Sequence, residues 1–194
     1  MLLAASQAPA QTLSGAALVN ALKQGGYVIV MRHASSPAMP PDKEHANPDN
    51  TKLERQIDAA GRAGATAMGK ALADLKIPIG DVLTSPTYRA LETVRFAKLA
   101  NPHAFDELGD GGQSMQAIAD AAAVWLRDRA SQLPAPGTNT IIVTHMPNIA
   151  RAFPDWQPQV ADGESVVLRP AVSGQAQVVG RIRIEDWSAL ALRR

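Results

Sequence analysis

Residues 27–31 read YVIVM and residues 140–144 read TIIVT, two continuous runs dominated by β-branched and apolar side chains. A strand that is apolar on both sides must be covered on both faces, which is the situation inside a parallel sheet sandwiched by helices. Each run stops abruptly at polar residues, Arg32-His33 after the first and His145 after the second. In open α/β sheets the ligand crevice lies outside the carboxyl ends of the strands, so residues that directly follow strands are the first place to look for chemistry.

The rest of the chain supplies helices to cover such a sheet. Residues 13–24 carry apolar side chains at helical spacing and end at Gly25-Gly26, a pair suited to the left-handed cap conformation. Residues 59–75 form an alanine-rich helical pattern that stops before Ile77-Pro78. A short strand is predicted at 81–84 (DVLT), then a helix entered at Ser85-Pro86 and running towards Ala100, with Arg89 in its first turns. Ser114 starts a further helix reaching about Ser131, and a short one spans 148–153. Two more strands are expected at 165–169 and 178–184, while 34–58 and 101–113 read as loops rich in proline, glycine and charge. The alternation predicts an α/β domain: a three-layer sandwich with a mostly parallel central sheet flanked by helices, covering 13–194 after a tail at 1–12.

Composition limits the partners. Nineteen basic and eighteen acidic side chains leave a formal charge of +1, so no long-range field recruits nucleic acid or an anionic membrane. An anionic substrate must be held by local arginines. Without cysteine there is no disulfide, thiolate nucleophile or cysteine-ligated metal, and no HxxxH spacing suggests a zinc site. No cofactor and no metal are expected, and oligomeric state is not legible. The start, MLLAASQAPAQTLSG, has a short apolar patch before Ala8-Pro9-Ala10, the small-x-small pattern cut by signal peptidases. It suggests a periplasmic or secreted protein, with a frayed cytoplasmic N-terminus as the alternative. No other segment approaches the roughly 20 apolar residues of a membrane span.

Arg32, His33, Arg89 and His145 all fall at strand ends or at the helix entry after one. Their chemistry suits phosphoryl transfer: an imidazole to accept the group, planar guanidinium forks matched to phosphate oxygens, and a second imidazole for developing charge. A neutral imidazole has a ring nitrogen free to attack phosphorus, and the phosphohistidine can pass its group to water without a metal.

Through VMRHAS (30–35), LTSPTYRALET (83–93) and VTHMPNI (143–149), which occur in the same order, the sequence resembles the histidine phosphatase superfamily, the phosphoglycerate mutase-like proteins, in its small bacterial form. The resemblance implies that His33 is transiently phosphorylated and that Arg32, Arg89 and His145 form the phosphate pocket. Ser35 and Asn148, within the first and third motifs, are further candidates for substrate binding. Such enzymes use a carboxylic acid to protonate the leaving oxygen, at a place that differs between branches. Glu107, in the loop after the Arg89 helix, resembles the mutase-like position; the position directly after the second histidine, used by the acid-phosphatase branch, is Met146 here. Glu164, ahead of the strand at 165–169, is the other candidate. Ala34-Ser35 departs from the glycine and acid or glutamine found in many members, which weakens the case for a glycolytic mutase. The expected activity is a metal-independent phosphomonoesterase acting on a small phosphate ester or another phosphorylated substrate. The alternatives are a phosphoglycerate-type mutase and a catalytically silent phosphate-binding protein of the same fold.

Overall fold

The computed structural model describes residues 12–37, 55–110, 116–171 and 176–192. The segment behind the export expectation and most of the 34–58 loop lie outside the described residues. The elements are α1 (Gly15–Gln24), β1 (Val28–Arg32), α2 (Ala59–Asp74), β2 (Ile79–Thr84), α3 (Tyr88–Phe96), β3 (Pro102–Ala104), a 3-10 turn (Asp106–Leu108), α4 (Gln116–Ala130), β4 (Asn139–Thr144), α5 (Met146–Ala152), β5 (Ser165–Arg169), β6 (Gln177–Ile182) and α6 (Asp186–Leu192).

The six strands form one sheet in the order β3-β2-β4-β1-β5-β6. β3, β2, β4 and β1 are parallel; β5 runs against β1, and β6 against β5, so β5 is the one reversed strand. The sheet is therefore mostly parallel, as the apolar runs predict. Alternation along β1 explains why both its sides are apolar. Ile29 and Met31 join a core with Leu18 and Leu22 of α1, Met68 of α2, Val94 of α3 and Trp187 of α6. Val28 and Val30 join a second core with Leu126 of α4, Ile149 of α5 and Leu108. Each face thus buries its own apolar layer, and burial of side chains of this size contributes about 1.5–3 kcal/mol each.

The structure differs from the sequence reading where tertiary pairing decides. The 101–113 segment, read as loop, contains β3, which pairs with β2 from Val82↔Pro102 to Thr84↔Ala104 at the sheet edge. Its three exposed residues carry no hydrophobic alternation from which to predict it. The helix expected to run towards Ala100 stops at Phe96. Lys98 there adopts φ 53°, its N–H donates to the Arg95 carbonyl at 3.1 Å, and the Leu99 N–H donates to the Val94 carbonyl at 3.2 Å. This is a Schellman ending, and a lysine rather than glycine occupies its left-handed position. α6, whose own Trp187 is fully buried, had no counterpart in the sequence reading.

Candidate active site

Register places the histidines. Arg32 of β1 lies opposite Thr144 of β4, so the next residues, His33 and His145, leave neighbouring parallel strands side by side. Their ring centroids are 5.1 Å apart. The His33 N–H continues the ladder to the Thr144 carbonyl (2.9 Å), and the His33 carbonyl accepts from Gly163 N–H (2.9 Å). Gly163 makes that approach at φ +70°, in a turn where an added Cβ would run into Ile184.

The His33 ring is held in one tautomer. Nδ1 lies 2.8 Å from the Ala34 carbonyl, which only accepts, so Nδ1 carries the proton and Nε2 keeps its lone pair. Burial, followed by the positive charges of Arg89, Arg32 and Arg55, lowers the His33 pKa to about 3, with the Ala34 hydrogen bond opposing. The ring is neutral at ordinary pH, as a nucleophile must be. Ala34 is itself fixed: its N–H donates to Thr93 Oγ1 (3.0 Å), whose hydroxyl donates to the Arg89 carbonyl (2.8 Å). This ties the loop after β1 to α3.

His145 is also buried, and its pKa is pushed well down by burial first and then by His33, Arg89, Arg55 and Arg32. Its Nε2 meets Ser85 Oγ at 2.9 Å and Thr87 Oγ1 at 3.1 Å. Ser85 Oγ donates to Thr87 Oγ1 (3.1 Å), which leaves the Thr87 hydroxyl to donate to Nε2; a neutral ring accepting there carries its proton on Nδ1, a buried nitrogen without a hydrogen bond among the described residues. Thr87 and His145 are the N-cap residues of α3 and α5, yet neither side chain caps its helix. Thr87 thereby forgoes a cap of about 1 kcal/mol to join the cluster.

Arg89 is 1% exposed, the first turn of α3 pointing it inward. Its Nε donates to His33 Nε2 at 3.3 Å, and its Nη2 to Asp110 Oδ2 at 2.6 Å. Arg32, 28% exposed, turns differently: Nη1 donates to the Val160 carbonyl at 3.3 Å and Nη2 lies 2.6 Å from Asp162 Oδ1. Its Nε is buried without a hydrogen bond among the described residues. Unmatched buried donors are uncommon in proteins and concentrate where an anion or water completes a site. Arg32 Nε and His145 Nδ1, with Arg89 and the positive field of Arg55, are groups of the kind that hold a compact dianion. Among the described residues no group of three His, Asp or Glu side chains is arranged to hold a metal ion.

His33, His145 and Arg89 thus meet, and Arg32 lies near enough for its charge to act on both rings while its fork pairs with Val160 and Asp162; the other expected site residues take different places. Ser35 Oγ donates to Asp58 Oδ2 (2.7 Å), and Asp58 also caps α2 by accepting from Gly61 N–H (2.7 Å). Gly61 packs so closely on the Ser35 carbonyl that no Cβ would fit. Ser35 therefore anchors the histidine loop to α2. Asn148 braces rather than faces outward: its Nδ2 donates to the Glu107 carbonyl (2.8 Å) and to Thr144 Oγ1 (3.2 Å). Glu164, expected as a possible proton donor, is instead committed on both oxygens. Arg181 of β6 donates to Oε1 (2.8 Å) and Oε2 (3.0 Å), and Ala161 N–H donates to Oε2 (2.8 Å). A carboxylate in a buried bidentate pair has no free oxygen to serve the histidines. Glu107 sits in the 3-10 turn, and its carboxylate has no hydrogen bond or ion pair among the described residues.

Sequence reasoning missed five neighbours of the cluster: Arg55, Ser85, Thr87, Asp110 and Asp162. Ser85 and Thr87 lie inside the second motif at a spacing of two, which brings both hydroxyls to one acceptor. The acids and Arg55 come from irregular segments, where no periodicity marks them.

No family model matches the chain, and no curated protein matches it. Solved structures do. The chain is similar to the protein histidine phosphatase SixA complexed with tungstate, with a TM-score of 0.59 and 16% identity over 82% of this chain and 98% of that one. It is similar to the alpha-ribazole phosphatase of Shigella flexneri (TM-score 0.54, 18% identity, 79% and 95% covered). A mutant phosphoserine phosphatase of Entamoeba histolytica in complex with phosphoserine gives a TM-score of 0.53 at 11% identity, with 82% and 98% covered. The chain shares the fold of these solved phosphatases, an α/β sandwich of the phosphoglycerate mutase-like type.

Proposed function

We propose that the chain is a phosphomonoesterase that works through a phosphohistidine on His33 and needs no metal. The observation that carries this reading is the state of the His33 ring: neutral, proton on Nδ1, lone pair on Nε2, with a guanidinium at that nitrogen. The Nε2 lone pair attacks phosphorus. Arg89, Arg32 and His145 Nδ1–H neutralise the equatorial oxygens, doing electrostatically what a metal does elsewhere. As the ring becomes a phosphorylated imidazolium, the Nδ1–H bond to the Ala34 carbonyl strengthens and supports its charge. Water then takes the phosphoryl group and restores the neutral ring. The fold neighbours named as phosphatases favour this reading over a silent binding protein, and Ala34-Ser35 favours hydrolysis over mutase chemistry. The substrate class follows from the pocket only as far as a terminal phosphoryl group.

The test is turnover of an aryl phosphate by the parent and by His33→Ala. Activity that disappears in the variant, with phosphate binding retained, supports the reading; equal turnover by both proteins excludes His33 as nucleophile.

A further inference from the structure

Resting on the reading of Arg32 as a phosphate ligand, we propose that Arg181, on the edge strand β6 and outside every sequence motif, is a positioning residue of that site. It fixes the segment 158–164 in the shape that seats the Arg32 guanidinium. Pairing of Val166 with Arg181 puts the arginine beside the start of β5, next to this segment. Its guanidinium then uses all three nitrogens there. Nε donates to Glu164 Oε1 (2.8 Å), Nη2 to Glu164 Oε2 (3.0 Å) and the Gln159 carbonyl (3.3 Å), and Nη1 to the Pro158 carbonyl (2.7 Å). Glu164 passes the restraint on, because Oε2 also accepts from Ala161 N–H (2.8 Å) and the Glu164 N–H donates to the Ala161 carbonyl (3.1 Å).

Residues 158, 159, 161 and 164 are thus tied to one side chain or to its carboxylate partner. The residues between them hold the site. The Val160 carbonyl accepts from Arg32 Nη1 (3.3 Å), Asp162 Oδ1 lies 2.6 Å from Arg32 Nη2, and Gly163 N–H donates to the His33 carbonyl (2.9 Å). The Arg32 N–H itself donates to the Glu164 carbonyl (3.2 Å). One set of residues in the segment is therefore bound to Arg181, and the other to Arg32 and His33.

What this does for an anion follows from the cost of holding an arginine still. The Arg32 side chain is 28% exposed, and its hydrogen-bond and ion-pair partners among the described residues, Val160 and Asp162, both lie in this segment. The seat takes Nη1 and Nη2 and leaves Nε, buried, without an acceptor among the described residues. A long side chain held in place before the ligand arrives loses less conformational entropy on binding. Arg32 meets the phosphoryl oxygens in the ground state as well as in the transition state, so loosening its seat weakens binding more than it slows bond breaking.

The experiment makes Arg181→Ala and Arg181→Lys in the parent and in an Arg32→Ala background. Calorimetry measures binding of orthovanadate, a phosphate-shaped probe, and steady-state assay gives KM and kcat on p-nitrophenyl phosphate, at a temperature below every unfolding transition. In the parent, Arg181→Ala should weaken vanadate binding and raise KM by about 10-fold, the scale of coupling within one hydrogen-bond network, while kcat changes by less than about threefold. In the Arg32→Ala background the same substitution should change binding by less than about twofold. Arg181→Lys keeps a charge against Glu164 but not the planar fork, so it should fall between, and it carries the test if Arg181→Ala does not fold. With a parent that binds vanadate and turns over the ester, any of three results overturns the assignment of Arg181 alone: equal weakening in both backgrounds, binding unchanged by either substitution, or a lower kcat at unchanged KM. A parent that neither binds vanadate nor turns over the ester overturns the reading of the site and this assignment with it.

Discussion

The histidine pair and the acids around it are built by different means. His33 and His145 follow directly on adjacent parallel strands, and their separation is set by the Arg32↔Thr144 register and the hydrogen bonds that continue it. Asp110, Asp162 and Glu164 come from turns and loops, and each is paired with a different arginine, while the Glu107 carboxylate has no partner among the described residues. Strand ends place the imidazoles with the precision of the sheet; turns distribute charge among partners that only the folded chain brings near. The same residue type is then a buried ion-pair partner or a half-exposed one according to the guanidinium beside it.

This contrast can be broken at the strand ends first. His33→Ala should reduce turnover by about 10⁴-fold or more, the scale seen when an enzyme loses its nucleophile. Steady-state assay of an aryl phosphate measures it, and a smaller loss would mean that register has placed the wrong group. Arg89→Lys comes next. It keeps the charge but cannot serve His33 and an anion from one edge, so kcat/KM should fall by about 10²–10³-fold. Full activity with lysine would show that the fork geometry is irrelevant.

The turn acids sharpen the other side. Glu164→Gln should unfold at lower urea, with a stability loss of about 1–3 kcal/mol from the broken Arg181 pair, while kcat stays near that of the parent. A variant of normal stability that has lost turnover would return Glu164 to the reaction. Acid should also act on the strand ends. In the unfolded chain His33 takes a proton at its ordinary value of 6.5, but in the fold only near about 3, so between these values the unfolded state binds more protons. Stability is therefore complete above 6.5 and falls as pH drops, by of order 2 kcal/mol at about pH 5 from His33 alone. Urea unfolding of the parent and His33→Asn at both pH values checks this; the variant should be less acid-sensitive. The smallest effect is expected at Asp58→Ala, which removes the α2 cap and the Ser35 anchor at a cost of about 1 kcal/mol.

These regions also differ in how far the sequence discloses them. The inner strands, the helices α1–α5 and the strand-end positions of the four motif residues were legible because burial on both faces imposes apolar runs, and a strand that ends in Arg-His or His announces its position. Ser35 and Asn148 were found by motif, but their roles were not: whether a side chain faces a pocket or braces a turn depends on Asp58 and on the Glu107 carbonyl, residues distant in the chain. Asp110 carried no signal at all, since its partner on α3 is 21 residues away and nothing local requires an acid there. β3 and the early stop of α3 were hidden for a similar reason, one made by edge pairing and the other by a lysine in a position usually given to glycine.

The central claim is the phosphohistidine. The parent, mixed with a radiolabelled phosphate ester and quenched in denaturant at alkaline pH, should yield an acid-labile, base-stable phosphoprotein whose label maps to the peptide containing His33 and is absent from His33→Ala. Turnover without any trapped phosphoprotein, or label that persists in His33→Ala, would contradict the account.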